Sequence, residues 1–275
     1  MRTLAIRSLA VIAAIAASSS QASAQTHIYN LNNSLLDQNG GYSLASNGGS
    51  LGATSYSFGW NTGLSLSGVF NQLGYSSGAY TIFIRAKLAD VQNQDSRDWY
   101  TKVIDFKARS SDDGLYVTYG TGTGAGPDFI TRPPYTENYS DVYSDAITND
   151  NYFVLALSRS ATGATDVYLN GSYVYDMSFT DTNGAGLFTG TNGIANFFMD
   201  DTVAGSDDAS YLGGSVDYIA TYSQQLSGEQ IAAFSGERGP QNIDQTTTPE
   251  PASMVLLATG LVGVFTAARR RKVSK

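Results

Sequence analysis

The chain has 275 residues, with no cysteine, one histidine and a formal net charge of −8. Zero cysteines exclude disulfides, thiolate catalysis and Cys-based zinc sites, and the acidic balance excludes a binder of nucleic-acid backbones or other anionic surfaces. Charged residues make up only 15 %, against Gly 29, Tyr 18 and Phe 12, a mixture that favours strands joined by tight turns over helices.

Residues 1–24 read as a signal peptide. Arg2 and Arg7 give the positive start, 9–17 is an apolar run too short to span a bilayer, and Ala22, Ser23 and Ala24 form an A-x-A cleavage site. The mature chain is therefore expected to begin at Gln25. Residues 25–66 read as opening strands, separated by turns at Asn39-Gly40-Gly41 and Asn47-Gly48-Gly49. Large apolar and small residues alternate over 56–60 and 64–66, as in half-buried strands, and this places Trp60 in the core. His27 reads as a surface strand residue.

The strongest strand pattern is 80–88, whose only charges, Arg85 and Lys87, share one face. A polar loop over 90–98 leads to strands at 99–106 and 115–119. Residues 120–150 lack regular patterning: glycines at 120, 122, 124 and 126 are followed by Pro133, Pro134 and several Tyr and Asp residues. A loop of that length is either functional or a plain excursion.

Residues 152–158 read as a buried strand leading into a β-hairpin. Val167 and Leu169 alternate with Tyr168 and Asn170, and Tyr173, Val174 and Tyr175 resume after Asn170-Gly171. Those two residues tolerate the positive φ of a type I′ turn. A lone hairpin is marginal in water, so neighbouring strands must cover it. After a loop at 181–193 come strands at 194–199, ending in Asp200 and Asp201, and at 215–222. Ser227 and Gln230 have capping-box spacing and open one short helix with Ile231 and Phe234 towards the sheet. A polar linker over 236–248 leads to Pro249, Glu250 and Pro251. Residues 253–268 are apolar and uncharged, and Arg269, Arg270, Arg271 and Lys272 close them. This reads as a single short transmembrane helix with a basic cytoplasmic end.

The expected parts are thus a signal peptide (1–24), a β-sandwich domain (25–235), a linker (236–248) and a sorting segment (249–275). Removing both ends takes away seven of the 16 basic residues and one of the 24 acidic ones, leaving a net charge of −14. Such a domain attracts cations.

The tail, Pro249-Glu250-Pro251 followed by an apolar helix and an arginine run, resembles the PEP-CTERM sorting signal of Gram-negative bacteria that make exopolysaccharide. The resemblance implies export through the inner membrane and membrane anchoring before processing by an exosortase. The product would then sit at the cell surface or in the extracellular matrix. The body resembles the concanavalin A-like lectin/glucanase jelly roll, in its laminin G-like branch. The resemblance is carried by 29–33 beside Asp37 and Gly40-Gly41, then 153–158, 167–171, 213–222 and 226–231 in that order. It implies an all-β fold, a two-sheet antiparallel jelly-roll sandwich.

Glycosidases of that fold pair carboxylates at close separation, and the laminarinase-type signature is Glu-x-Asp-x-x-Glu. The glutamates here, Glu137, Glu229, Glu237 and Glu250, are not so spaced. A Ser-His-Asp triad or a lyase site would have to use His27 alone. No catalytic residue is therefore expected, and non-catalytic carbohydrate binding is, with a structural matrix role as the alternative and a glycan-active enzyme of novel site layout as the third reading. Asp200, Asp201, Asp207, Asp208 and Asp217 are the candidate ligands for Ca2+, which takes six to eight hard oxygens; Asp is also a common turn former. Trp99, Tyr135, Tyr139 and Tyr143 are the candidate sugar platforms, since aromatic rings offer flat apolar area with polar tips.

Overall fold

The structure, a computed structural model, describes residues 26–68, 78–89, 100–110, 114–119, 127–132, 138–139, 147–148, 151–177, 193–202 and 213–235. The strands in chain order are β1 (Thr26–Tyr29), β2 (Ala45–Asn47), β3 (Ser50–Leu51), β4 (Tyr56–Phe58), β5 (Gly63–Leu66), β6 (Tyr80–Leu88), β7 (Tyr100–Asp105) and β8 (Gly114–Tyr119). They continue as β9 (Pro127–Arg132), β10 (Asn138–Tyr139), β11 (Phe153–Arg159), β12 (Thr165–Leu169), β13 (Ser172–Met177), β14 (Ala195–Phe197) and β15 (Gly214–Tyr222), and one helix follows, α1 (Gly228–Phe234). All belong to one compact unit.

They form two antiparallel sheets. The first runs β13-β12-β11-β6-β15-β4-β3, with β1 also paired to β15; the second runs β10-β9-β8-β7-β14-β5-β2. Their facing side chains make one core. Ile82, Ile84, Leu155, Leu157, Val167 and Ile219 come from the first sheet, and Leu64, Val103, Leu115 and Phe197 from the second. Phe58 stacks on Phe198 with ring centroids 4.1 Å apart. Where β5 passes β14, a Cβ on Gly63 would lie 2.0 Å from the Phe197 carbonyl oxygen, so only glycine fits there.

The hairpin that the sequence marks is β12–β13. Asn170 and Gly171 have φ of 49° and 82°, as a type I′ turn needs. The tip is bound to β11: Asn170 N donates to Val154 O and Val154 N donates to Asn170 Oδ1, both at 2.8 Å. A Cβ on Gly171 would meet Ala232 Cα at 3.0 Å, so the glycine also lets α1 pack against the turn. The capping box of α1 is complete, with Ser227 Oγ accepting from Gln230 N and Gln230 Oε1 accepting from Ser227 N. Ile231 is buried, and the Phe234 ring packs on Phe83 and Tyr222.

Three expectations change. The unpatterned stretch 120–150 contains β9 and β10, which extend the second sheet; Phe129, Ile130 and Thr131 supply β-formers that the flanking glycines and prolines obscure. Trp60 is 66 % exposed, because β4 stops at Phe58 and the next residues turn. His27 is 3 % exposed rather than at the surface. Its Nδ1 meets Asp37 Oδ2 at 2.5 Å, while Asp37 Oδ1 accepts from Ile28 N and Asn39 N. The pair ties the turn at 37–41 to β1.

Candidate functional site

Residues other than glycine seldom hold positive φ, and those that do gather where structure is set for function. Among the described residues six do so, and four of them, Asn61 (47°), Ala108 (54°), Arg109 (63°) and Phe198 (62°), fall together. β14 lies between β7 and β5, and antiparallel pairing brings the end of β14 to the start of β5 at one rim of the second sheet; the turn after β7 is tied to the same rim through Arg109.

The rim is held by hydrogen bonds from three segments. Gly59 N donates to Thr62 Oγ1 at 2.7 Å and Thr62 N to Gly59 O at 3.2 Å, closing the turn that carries Trp60 and Asn61. Asn61 Oδ1 accepts from Arg109 Nη2 at 3.0 Å and from Asp200 N at 3.1 Å. Arg109 Nε donates to Asp200 O, and Arg109 O accepts from both Thr202 N and Thr202 Oγ1 at 3.0 Å. Arg109 therefore acts as a structural clamp with its donors pointed inward. The outcome is a braced turn that presents an indole to solvent, a rigid amphipathic surface suited to stacking.

Behind this rim lies a buried charge cluster. Lys102 pairs with Tyr116 and Asn196 with Asp105 across strands, so these residues share the face of the second sheet that looks away from Leu115, Ile104 and Phe197 in the core. Lys102 Nζ lies 3.5 Å from Asp105 Oδ2, 3.5 Å from Asp200 Oδ1 and 3.6 Å from Asp201 Oδ2. It also stands 5.2 Å from the centre of the Tyr116 ring. Asp105 Oδ1 accepts from Arg109 N at 2.8 Å and Asn196 Nδ2 at 3.1 Å.

The candidate calcium ligands therefore part company. Asp200 and Asp201 turn to the Lys102 ammonium, a cation the protein itself supplies. Asp217 lies on β15 in the other sheet, ion-paired with Arg85, and Asp207 and Asp208 fall outside the described residues. Among the described residues no three acidic or histidine side chains group as metal ligands. Of the aromatic candidates, Tyr139 lies on β10, and Trp99, Tyr135 and Tyr143 fall outside the described residues, as do Ala22, Ala24, Pro249, Glu250 and Pro251. Sequence reasoning weighed Trp60 as a sugar platform but assigned it to the core, and it passed over Asn61, Arg109 and Lys102. A Gly59-Trp60-Asn61-Thr62-Gly63 run is a turn signal that could have found Trp60 and Asn61.

A second acidic feature sits on the first sheet. Asp166 and Asp176 are directly opposed across β12–β13. Burial, and next the Asp176 charge, push the Asp166 carboxyl above its usual range. Burial and then the Asp166 charge push up the Tyr168 hydroxyl, and burial, Asp176 and Asp166 push up that of Tyr173.

Comparison with known proteins agrees with this architecture. Residues 247–272 match the PEP-CTERM protein-sorting motif. No curated protein sequence matches the chain. The fold is similar to the receptor binding domain of botulinum neurotoxin C/D mosaic serotype, with TM-score 0.53, 16 % identity, and coverage of 78 % of this chain and 51 % of that one. It is similar to the binding domain of botulinum neurotoxin DC in complex with rat synaptotagmin II, with TM-score 0.55, 13 % identity and coverage of 78 % and 51 %. It is also similar to Domain 4 of AbnA, a GH43 extracellular arabinanase from Geobacillus stearothermophilus, in complex with arabinotriose, with TM-score 0.51, 18 % identity and coverage of 78 % and 99 %. The chain spans about half the length of the neurotoxin chains it matches. Its class is a two-sheet antiparallel sandwich consistent with a concanavalin A-like fold. That sandwich is followed by a PEP-CTERM motif, which implies export. Among the described residues no helix is long and apolar enough to cross a membrane, and 253–268 lie outside them.

Proposed function

We propose that the protein is a surface or matrix protein, processed by signal peptidase and exosortase, whose sandwich binds carbohydrate without chemistry, with exopolysaccharide as the ligand class. The observation that carries this reading is Trp60, 66 % exposed on a turn braced by Asn61, Arg109 and Asp200. A rigid aromatic loses little entropy when a sugar face stacks on it. The arabinotriose-bound arabinanase domain of similar fold supports it. The three carboxylates that converge in the second sheet are enclosed around Lys102 and so are not placed to act on a substrate, unlike the cleft-facing pairs of glycosidases. Trp99, Tyr135, Tyr139 and Tyr143 are proposed as further sugar-stacking residues.

The test is a glycan array followed by titration of the best ligand, with Ca2+ and with EDTA. Trp60→Ala is expected to weaken binding about tenfold or more, equivalent to about 1.4 kcal/mol, and EDTA to leave it unchanged. Binding lost in EDTA would assign it to calcium at Asp207 and Asp208. No binding in either condition would give the protein a structural role in the matrix.

A further inference from the structure

Carbohydrate binding makes no use of the enclosed lysine. The side chains of Lys102, Asp105 and Asp201 are wholly shielded from solvent and that of Asp200 nearly so. One ammonium among three carboxylates, out of water, is a costly arrangement, since removing an ion from water is repaid only by excellent geometry. Lysine is almost never fully buried without a partner, and here one oxygen of each carboxylate stands within 3.6 Å of its nitrogen. Amide formation would remove one positive and one negative charge from the interior together, leaving Asp105 to the hydrogen bonds of Arg109 N and Asn196 Nδ2 and Asp200 to that of Asp201 N. The chain also has no cysteine, so no disulfide ties β7 to the segment after β14 in a domain bound for the exterior.

We propose that Lys102 Nζ and the Asp201 side chain form an intramolecular amide bond. Asp105 lies on the same strand as Lys102, and a bond to it would tie β7 only to itself. Asp200 Oδ1, 3.5 Å from Lys102 Nζ, is also held by the next residue's backbone, Asp201 N, at 2.9 Å, a local bond that an attack on its carboxyl would have to break. Asp201 is the fully enclosed partner from the other segment. Asp105, fixed by Arg109 N and Asn196 Nδ2, is the proton carrier. It takes a proton from the ammonium, the amine lone pair attacks Asp201 Cγ, and a C–O bond of that carboxyl breaks. The two protons that nitrogen gives up leave on the departing oxygen. One ammonium and one carboxylate become one amide and one water, with no oxidant, reductant or cofactor. Fixed contact between the partners raises their effective concentration, and enclosure keeps water from reversing the step.

The experiment is mass spectrometry of the full chain, denatured and digested with trypsin. The expected result is the Lys102 peptide joined to the Asp201 peptide, at their summed mass less one water, with no cleavage after Lys102. Fragmentation places the junction at Asp201. Asp201→Ala and Lys102→Arg release two separate peptides, and Asp105→Ala does so while keeping both bonding partners. Two separate wild-type peptides at full mass, with cleavage after Lys102, would overturn the proposal, as would a junction at Asp105 or Asp200. The wild-type measurement does not depend on any variant folding.

Discussion

Arg85 and Lys102 are built from the same parts. Each is a cation on a central strand, each meets aspartate from another segment, and each lies over a tyrosine ring: Arg85 is 4.2 Å from the Tyr152 centroid, Lys102 5.2 Å from that of Tyr116. They differ in water. The Arg85–Asp217 pair is 18 % and 30 % exposed, whereas Lys102 and two of its carboxylates are at 0 %. Solvent screens the first pair and lessens its need for a partner. Around Lys102 nothing screens, so every charge there depends on every other. Two sites of like composition therefore belong to different regimes, one adjustable and one committed.

The largest expected effect breaks the committed site. Lys102→Met leaves three carboxylates enclosed with neither the ammonium to pair them nor the nitrogen to bind Asp201, and is expected to cost at least about 3–5 kcal/mol, lowering the melting temperature by about 6–20 °C or more in a domain of this size. Thermal unfolding followed by circular dichroism reads this directly, and a loss under about 1 kcal/mol would place Lys102 with Arg85. The same scan on Arg85→Ala is expected to give a loss of about 1 kcal/mol, from a part-exposed ion pair and one cation–π contact. That loss should shrink as salt rises. A salt-independent loss as large as that of Lys102→Met would erase the distinction.

The smallest effect has the opposite sign. Asp176→Asn removes a like charge facing Asp166 and is expected to stabilise the hairpin by about 0.2–1 kcal/mol at neutral pH. The sign with pH follows from the raised Asp166 carboxyl. A group whose folded pKa lies above its unfolded one gives its stability below the unfolded value, about 3.9, and loses it as pH rises through the folded value. The advantage of Asp176→Asn should therefore fade on acidification. Melting curves of both proteins at about pH 4 and about pH 7 check this; an advantage that grew in acid would mean that Asp166 is not the group relieved.

Much of the fold is legible from local rules. Asn170-Gly171, the alternation in β12, the apolar run of β11 and the Ser227–Gln230 box each encode their own geometry within a few residues, and the structure has all of them. The rim was not legible in that way. Trp60 fits strand alternation by period, and only the Gly59–Thr62 hydrogen bonds, which end the strand, turn it outward. His27 is buried by Asp37, ten residues on and across a turn. Lys102 looks like any strand lysine until Asp200 and Asp201, about a hundred positions later, arrive beside it. Periodicity reads what a residue's neighbours in sequence impose, while the candidate site is made by segments that only the sheet topology brings together.

Among the described residues β13 is one of the edge strands of the first sheet, and Asp176 on it is exposed opposite Asp166. An outer strand offers unpaired amides and carbonyls to any other chain that lies alongside. Copies meeting edge to edge through β13 would bring four carboxylates together. The hairpin that is marked most plainly in the sequence thus also carries a built-in deterrent to fibrous self-association, one that weakens wherever the surroundings turn acidic.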